Sequence, residues 1–234
     1  CPKANVPTPR RVGHFQPPRM RHFQPALTSR NPSRYTALPA TMHPQDSVGM
    51  RIGEGIELVP YNPLWPEEFT RVRGELLSAL ASSIVSIDHV GSTAIPGLDA
   101  KPIIDILVAV PDLEQSLALR PTLEGLGFQY RPDELPDRHY FPRTIDGLRR
   151  HHVSLAEPGS WHHRNSLTFR DALRRDPELA ARYGALKRRL AAEVGTRRLD
   201  YLNGKTDFIL GVLRTQGCEA SADYPIRDLG TRAV

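Results

Sequence analysis

Apolar positions recur along this chain first at a helical period, then in short dense runs, and again at a helical period over the last third. Ile56–Val59 is a short apolar run that predicts a strand. The prolines of PYNPLWP then enforce an extended entry, and Pro66 suits the first position of a helix. Trp65, Phe69, Val72, Leu76, Leu77 and Leu80 fall on one face of a helix over Pro66–Ala81. Ile84–Val90 and Ile103–Val110 read as strands. The second, IIDILVAV, is the most apolar run in the chain and should be central and buried. Asp112 with Gln115 resembles a capping box opening a second helix, which Pro121 interrupts.

Phe128–Arg131, His139–Arg143 and His151–Glu157 predict three further strands, with Trp161, His162 and His163 in a loop after the last. Ser166–Arg175 predicts a helix. Asp176-Pro177-Glu178 then supplies an N-cap, a first-turn proline and a first-turn acid for another. Leu179, Tyr183, Leu186, Leu190 and Val194 form its buried stripe, and the basic residues of the run KRRL at 187–190 should face solvent. A final helix over Leu199–Thr215 buries Phe208, Ile209, Val212 and Leu213 despite Gly204 and Gly211. Strands and helices alternate early and helices dominate late, which predicts one α+β domain over residues 55–216.

Composition divides the chain. Residues 1–50 hold nine of the 22 prolines and, with Lys3, six arginines and Asp46, carry about +6. Subtracting that from the net charge of +5 leaves about −1 on residues 51–234. The basic character therefore belongs to the leader, and bulk charge gives no support for nucleic-acid binding by the domain. The leader repeats His14-Phe-Gln-Pro17 as His22-Phe-Gln-Pro25 and holds few aliphatic residues, so it should be disordered. An organelle-targeting peptide, or untranslated sequence ahead of a start at Met50, are sharper alternatives that rest on composition alone. Residues 217–234 should be a flexible tail. Cys1 and Cys218 form no close-spaced pair, which fits a reducing, cytoplasmic setting. No apolar run approaches the roughly 20 residues of a membrane helix.

The chemistry concentrates in HVGSTAIPGLDAKPIID, His89–Asp105. Gly91 lets the backbone approach a bulky anion, Ser92 and Thr93 offer hydroxyls and N–H groups, and Lys101 can neutralise a phosphate oxygen. Asp105 interrupts an apolar strand, where an unpaired carboxylate is costly unless a metal ion or a basic partner meets it. On spacing alone a second reading stands equally: Gly91 and Gly97 serve turns, and Asp105 caps a neighbouring backbone.

IELVPYNPLWPEEF, DHVGSTAIPGLDAKPIIDILVAV, HYFPR, the segment HHVSLAEPGSWHHRNSLTFRDALRRDPELAARYGALKRRLA, and the spaced Tyr201 and Lys205 together resemble the GrpB family, from about Ile56 to Leu213. The resemblance implies a nucleotidyltransferase-like mixed sheet flanked by helices. In active members of that wider superfamily a Gly-Ser pair precedes an acid-hydrophobic-acid triplet whose carboxylates hold Mg²⁺ or Mn²⁺. Gly91-Ser92 match the pair and Asp105 the first, catalytic acid, but the second acid position is Leu107. Imidazoles could compensate, which makes His89 and His151 candidate metal ligands beside Asp105. Where the family usually shows a histidine three residues after His151, this chain has Ser154. Glu157 is a further candidate acid or a surface cap. Arg138, Arg143 and Lys205 join Gly91, Ser92, Thr93 and Lys101 as candidate phosphate-binding groups, with a solvated edge strand as the plain alternative for the arginines.

Three functions remain open at this point. The chain is a metal-dependent nucleotidyl- or phosphoryltransferase acting on a small acceptor; or a non-catalytic accessory domain for dephospho-CoA kinase, to which relatives are found joined; or a nucleotide-binding sensor.

Overall fold

The computed structural model describes residues 50–51, 56–132, 135–194 and 197–218. The expectations for residues 1–49, for the tail beyond Cys218 and for the Val194 side chain fall outside these. The elements are β1 (Met50–Arg51), α1 (Trp65–Leu80), β2 (Ser86–Val90), β3 (Ile104–Ala109), α2 (Arg120–Gly125), β4 (His139–Ile145), β5 (Leu148–Ala156), α3 (Trp161–Arg175), α4 (Pro177–Val194) and α5 (Arg198–Thr215).

The four longer strands lie in the order β4-β5-β3-β2, and the two-residue β1 pairs with the start of β5. β3 runs parallel to β5 and antiparallel to β2, so the most apolar strand is interior, as its run of branched residues requires. One face of the sheet meets α1: Ile87, Ile104, Ile106, Val108, Phe141, Val153 and Leu155 pack with Val72, Leu76 and Leu80 in the main core. The other face is narrower and meets α3 through Val90, Leu107, Ala156 and Leu167. A third cluster joins α3, α4 and α5 to Ile95 and Leu98 of the loop after β2. Gly204 has a packing reason inside α5, because a Cβ there would stand 2.5 Å from Leu190 Cδ2 on α4.

Several expectations shift in detail. Ile56–Val59 makes only a single bridge, Val59 to Ala100, and Phe128–Arg131 makes two isolated bridges to β4. The helix expected after Asp112 divides into a 3-10 turn, Gln115–Leu119, and α2, where Pro121 occupies the first turn. β4 and β5 extend until they meet in a two-residue hairpin at Asp146-Gly147, both at positive φ (52° and 75°), as a type I′ turn needs. α3 starts five residues earlier than expected. Ser160 caps it by accepting from the His163 N–H, so His162 and His163 occupy its first turn rather than a loop.

Candidate functional site

Residues directly opposite in a sheet point to the same side, and alternate residues of one strand point to opposite sides. The register pairs Asp105 with His152 and Val90, and pairs Leu107 with Ser154 and Asp88. These side chains share the face toward α3. His89 stands opposite Ile106 and His151 opposite Ile104, which places both histidines on the α1 face. The structure therefore does not bring His89 and His151 together with Asp105.

Both nitrogens of His151 and Nε2 of His89 are committed elsewhere. His151 is 1% exposed; its Nδ1 accepts from Arg143 Nε at 3.1 Å and its Nε2 donates to Glu68 Oε1 at 2.7 Å. Burial and the neighbouring Arg143 charge lower the pKa of the imidazole, against its hydrogen bond to Glu68. Glu68 itself is pushed up by burial, but its hydrogen bonds with Arg71 and His151 outweigh that and hold it at about 2. His89 lies stacked on Phe69, with ring centroids 4.8 Å apart. Its Nε2 lies 3.1 Å from Thr93 Oγ1, whose own proton goes to the Ile103 carbonyl, so Nε2 carries hydrogen and donates. Burial lowers His89 to about 4, with the Asp105 charge opposing and those of Arg174 and Arg170 assisting. Neither imidazole offers a lone pair to an ion through these atoms.

Two expected phosphate ligands are likewise reassigned. Thr93 is 1% exposed, and its hydroxyl bridges His89 to Ile103; it pins the ends of the loop between β2 and β3. Arg143 is buried on the α1 face. It donates to Glu75 Oε2 at 2.8 Å, to His151 and to the Leu126 carbonyl, and its guanidinium lies 4.5 Å from the Phe128 ring centre. Glu157 accepts from the Leu113 N–H at 2.8 Å, which is a capping role.

The α3 face presents a different set. Asp105 Oδ1 accepts from His152 Nδ1 at 2.9 Å, so the basic partner that a carboxylate in an apolar strand requires is the second histidine of the pair, not the first. His152 Nε2 is buried and has no hydrogen-bond partner among the described residues. Gly91 sits at φ 71°, and a Cβ on it would stand 2.2 Å from Asp105 Oδ2. The backbone of the Gly91-Ser92 turn thus rides directly on the carboxylate, which stays 39% exposed. Ser92 opens a 3-10 turn and shares a hydrogen bond with Tyr183. Burial and the nearby Tyr201 raise the Tyr183 hydroxyl far above its ordinary value, so it stays protonated.

Tyr201 links that point to a cluster of positive charge. Lys101 Nζ lies 4.7 Å and Lys205 Nζ 4.4 Å from the centre of its ring. Arg138 packs 5.1 Å from the Tyr140 ring, which contacts His152 edge-on at 5.3 Å. His162 is held neutral, at about 3, by burial and by the charges of Arg138 and His163. Gly91, Ser92, Lys101, Asp105, Arg138 and Lys205 therefore belong to one neighbourhood, and Thr93, Arg143, His89 and His151 serve the fold behind it.

α3 and α4 hold the loop in place. Arg170 donates to Asp88 Oδ1 and to the His89 carbonyl, each at 3.2 Å, and Arg174 donates to the Ala94 carbonyl at 2.9 Å. Lys187 donates to the Asp99 carbonyl and Arg188 to its carboxylate. The KRRL run is thus not wholly solvent-facing: Lys187 is 2% exposed, with its amine 5.1 Å from the Tyr183 ring centre.

A two-metal centre needs a second carboxylate beside Asp105. Leu107 occupies that place with no exposure. Asp88 stands across from Leu107, but its oxygens are taken by Arg170 and by Ser86 at 3.0 Å. Among the described residues no three His, Cys, Asp or Glu side chains gather into a metal-holding group. The residues do not fit a two-metal centre.

Sequence reasoning missed His152, Asp88, Tyr183 and Lys187 as site residues. The only signal for His152 was its adjacency to His151, because the strand register that selects between them is not written in either segment.

The family model described as "GrpB protein" matches residues 55–215. A UPF0157 protein of Pseudomonas aeruginosa is 39% identical over 165 residues, covering 68% of this chain and 66% of the relative, so the chain spans less than two thirds of that protein's length. The crystal structure of the conserved protein GrpB from Enterococcus faecalis superposes with a TM-score of 0.62 at 31% identity, covering 68% of this chain and 96% of that one. A dephospho-CoA kinase of Mycolicibacterium paratuberculosis is 31% identical over 159 residues, which is 57% of this chain and 39% of the kinase. With the family model covering more than half of its length, the chain belongs to the GrpB family.

Proposed function

We propose that the domain binds the phosphate groups of a nucleotide or another phosphorylated small molecule over the Gly91-Ser92 turn. The observation that carries this reading is the turn itself, a positive-φ glycine with no room for a Cβ lying against a half-exposed carboxylate. Backbone N–H groups of the turn and the ammonium groups of Lys101 and Lys205 supply the attraction an anion needs. Among the described residues of this face, Asp105 is the carboxylate that would meet Mg²⁺ or Mn²⁺ carried in on the phosphates, because Asp88 is occupied by Arg170. Leu107 weighs against nucleotidyl or phosphoryl transfer by two ions, so binding is the stronger form of the reading. Charge-assisted contacts contribute about 1.5–3 kcal/mol each. The Lys101→Gln, Lys205→Gln double variant should therefore bind ATP at least tenfold more weakly than wild type by calorimetry, with an unchanged melting temperature. Equal affinity in the two proteins would remove the reading.

A second reading, an accessory role beside dephospho-CoA kinase, is favoured by the partial match to a protein of that name. It predicts that the full-length chain co-purifies with the organism's dephospho-CoA kinase, and failure to do so counts against it. Among the described residues no helix is long and apolar enough to cross a membrane.

A further inference from the structure

Lys187 is used by neither reading, yet it is the most deeply buried cation of the domain's described residues. Its ammonium position offers three hydrogens. One meets the Asp99 carbonyl, and the amine otherwise faces the Tyr183 ring. The groups around it come from three elements: Asp99 on the loop, Tyr183 and Arg188 on α4, and Lys205 on α5, which in turn shares the Tyr201 ring with Lys101. Asp99 turns its carboxylate to Arg188 and meets Lys187 directly through its carbonyl alone, its charge acting from farther off. The ring beside Lys187 belongs to the tyrosine that bonds Ser92, so the amine sits one residue behind the turn on which the phosphates would rest.

We infer that Lys187, buried behind the turn with only a carbonyl as acceptor, is a positioning residue that is neutral in the free protein at alkaline pH and takes up a proton from solvent when a phosphate dianion occupies the Ser92–Lys101–Lys205 neighbourhood. The inference rests on the phosphate-binding reading and adds the regulation of that site by pH. Burial, with the Lys205 charge beside it, pushes the Lys187 amine down to about 7, against the pull of Asp99. Above that pH the free protein holds a neutral amine, whose donor still satisfies the Asp99 carbonyl. Arrival of a dianion reverses the balance, because the added negative charge favours the protonated form. Binding is then coupled to proton uptake: it weakens as the pH rises from about 7, where the free amine loses its proton, to the higher value at which the bound amine does, and is constant above that.

Calorimetric titration of the full-length chain with ATP, in two buffers of different ionisation enthalpy at about pH 8, reads the proton count directly. At that pH the terminal phosphate has already lost its second proton and contributes little. Wild type should take up close to one proton per ATP bound. Lys187→Met should take up none, and Lys187→Arg, which stays charged throughout, should also take up none and should bind about tenfold more tightly than wild type at pH 8, because it is spared a protonation that costs about one pH unit there. Binding by wild type without uptake overturns the inference whether or not the variants fold, as does undiminished uptake in either variant. If neither ATP nor inorganic tripolyphosphate binds wild type at all, the phosphate reading itself fails and this coupling falls with it.

Discussion

Replacing Gly91 with alanine should destabilise the domain by about 3 kcal/mol and abolish ATP binding. Two costs combine. A non-glycine residue at a positive φ in this region stores about 1–3 kcal/mol of backbone strain, and forcing an extra methyl into a packed site adds about 1–3 kcal/mol. The methyl is not absorbed by a flexible neighbour, because the atom it meets at 2.2 Å is Oδ2 of Asp105, a carboxylate whose other oxygen is tied to His152. Relief requires the Asp105 side chain to leave His152 or the turn to lift off the strand, and either movement dismantles the candidate site. The expected fall in melting temperature is about 6–12 °C for a domain of this size. A change below about 2 °C would show that the turn does not rest on the carboxylate.

Replacing Arg143 with alanine should cost about 3 kcal/mol, toward the lower end for a broken buried ion pair because Glu75 is partly exposed. The loss leaves His151 Nδ1 and the Leu126 carbonyl without a donor and strips the cation from the Phe128 ring. Affinity for ATP should stay within about twofold of wild type, since the guanidinium lies behind the sheet. A phosphate-binding arginine would give the opposite result, with little change in denaturant midpoint and a tenfold or greater loss of affinity. Urea unfolding and calorimetry on the same variant separate the two.

The distribution of apolar residues made the secondary structure and the division into early sheet and late helices readable. Ile103–Val110 could only be an interior strand, and the Trp65–Leu80 stripe only an amphipathic helix. Signals for the two largest misjudged boundaries were present as well: Asp146-Gly147 is a hairpin dipeptide, and Ser160 is a good N-cap ahead of a helical stretch. The site was half legible. Gly91, Ser92, Asp105, Lys101 and Lys205 stand out by residue type and spacing. Which histidine accompanies Asp105 depends on how β5 aligns with β3, and a slip of one residue exchanges the two faces of a strand. His151 and His152 differ by that one step, so the choice between them passed beyond what local sequence encodes. Lys187 was hidden for a related reason. Helical periodicity within a run of three basic residues does not reveal which of them another element covers, and the cover comes from Asp99, 88 residues earlier.

The central claim is that a phosphorylated ligand meets the face of the sheet carrying Asp105 and His152, over the Gly91-Ser92 turn. Backbone amide shifts of the isotopically labelled chain, followed during titration with ATP, report this position by position. The account predicts saturable changes at Gly91, Ser92, Lys101, Asp105 and Lys205, with His151 and Arg143 unmoved. Saturable changes confined to the α1 face around Glu68, Arg143 and His151, or no saturable change at any residue of the turn, would contradict it.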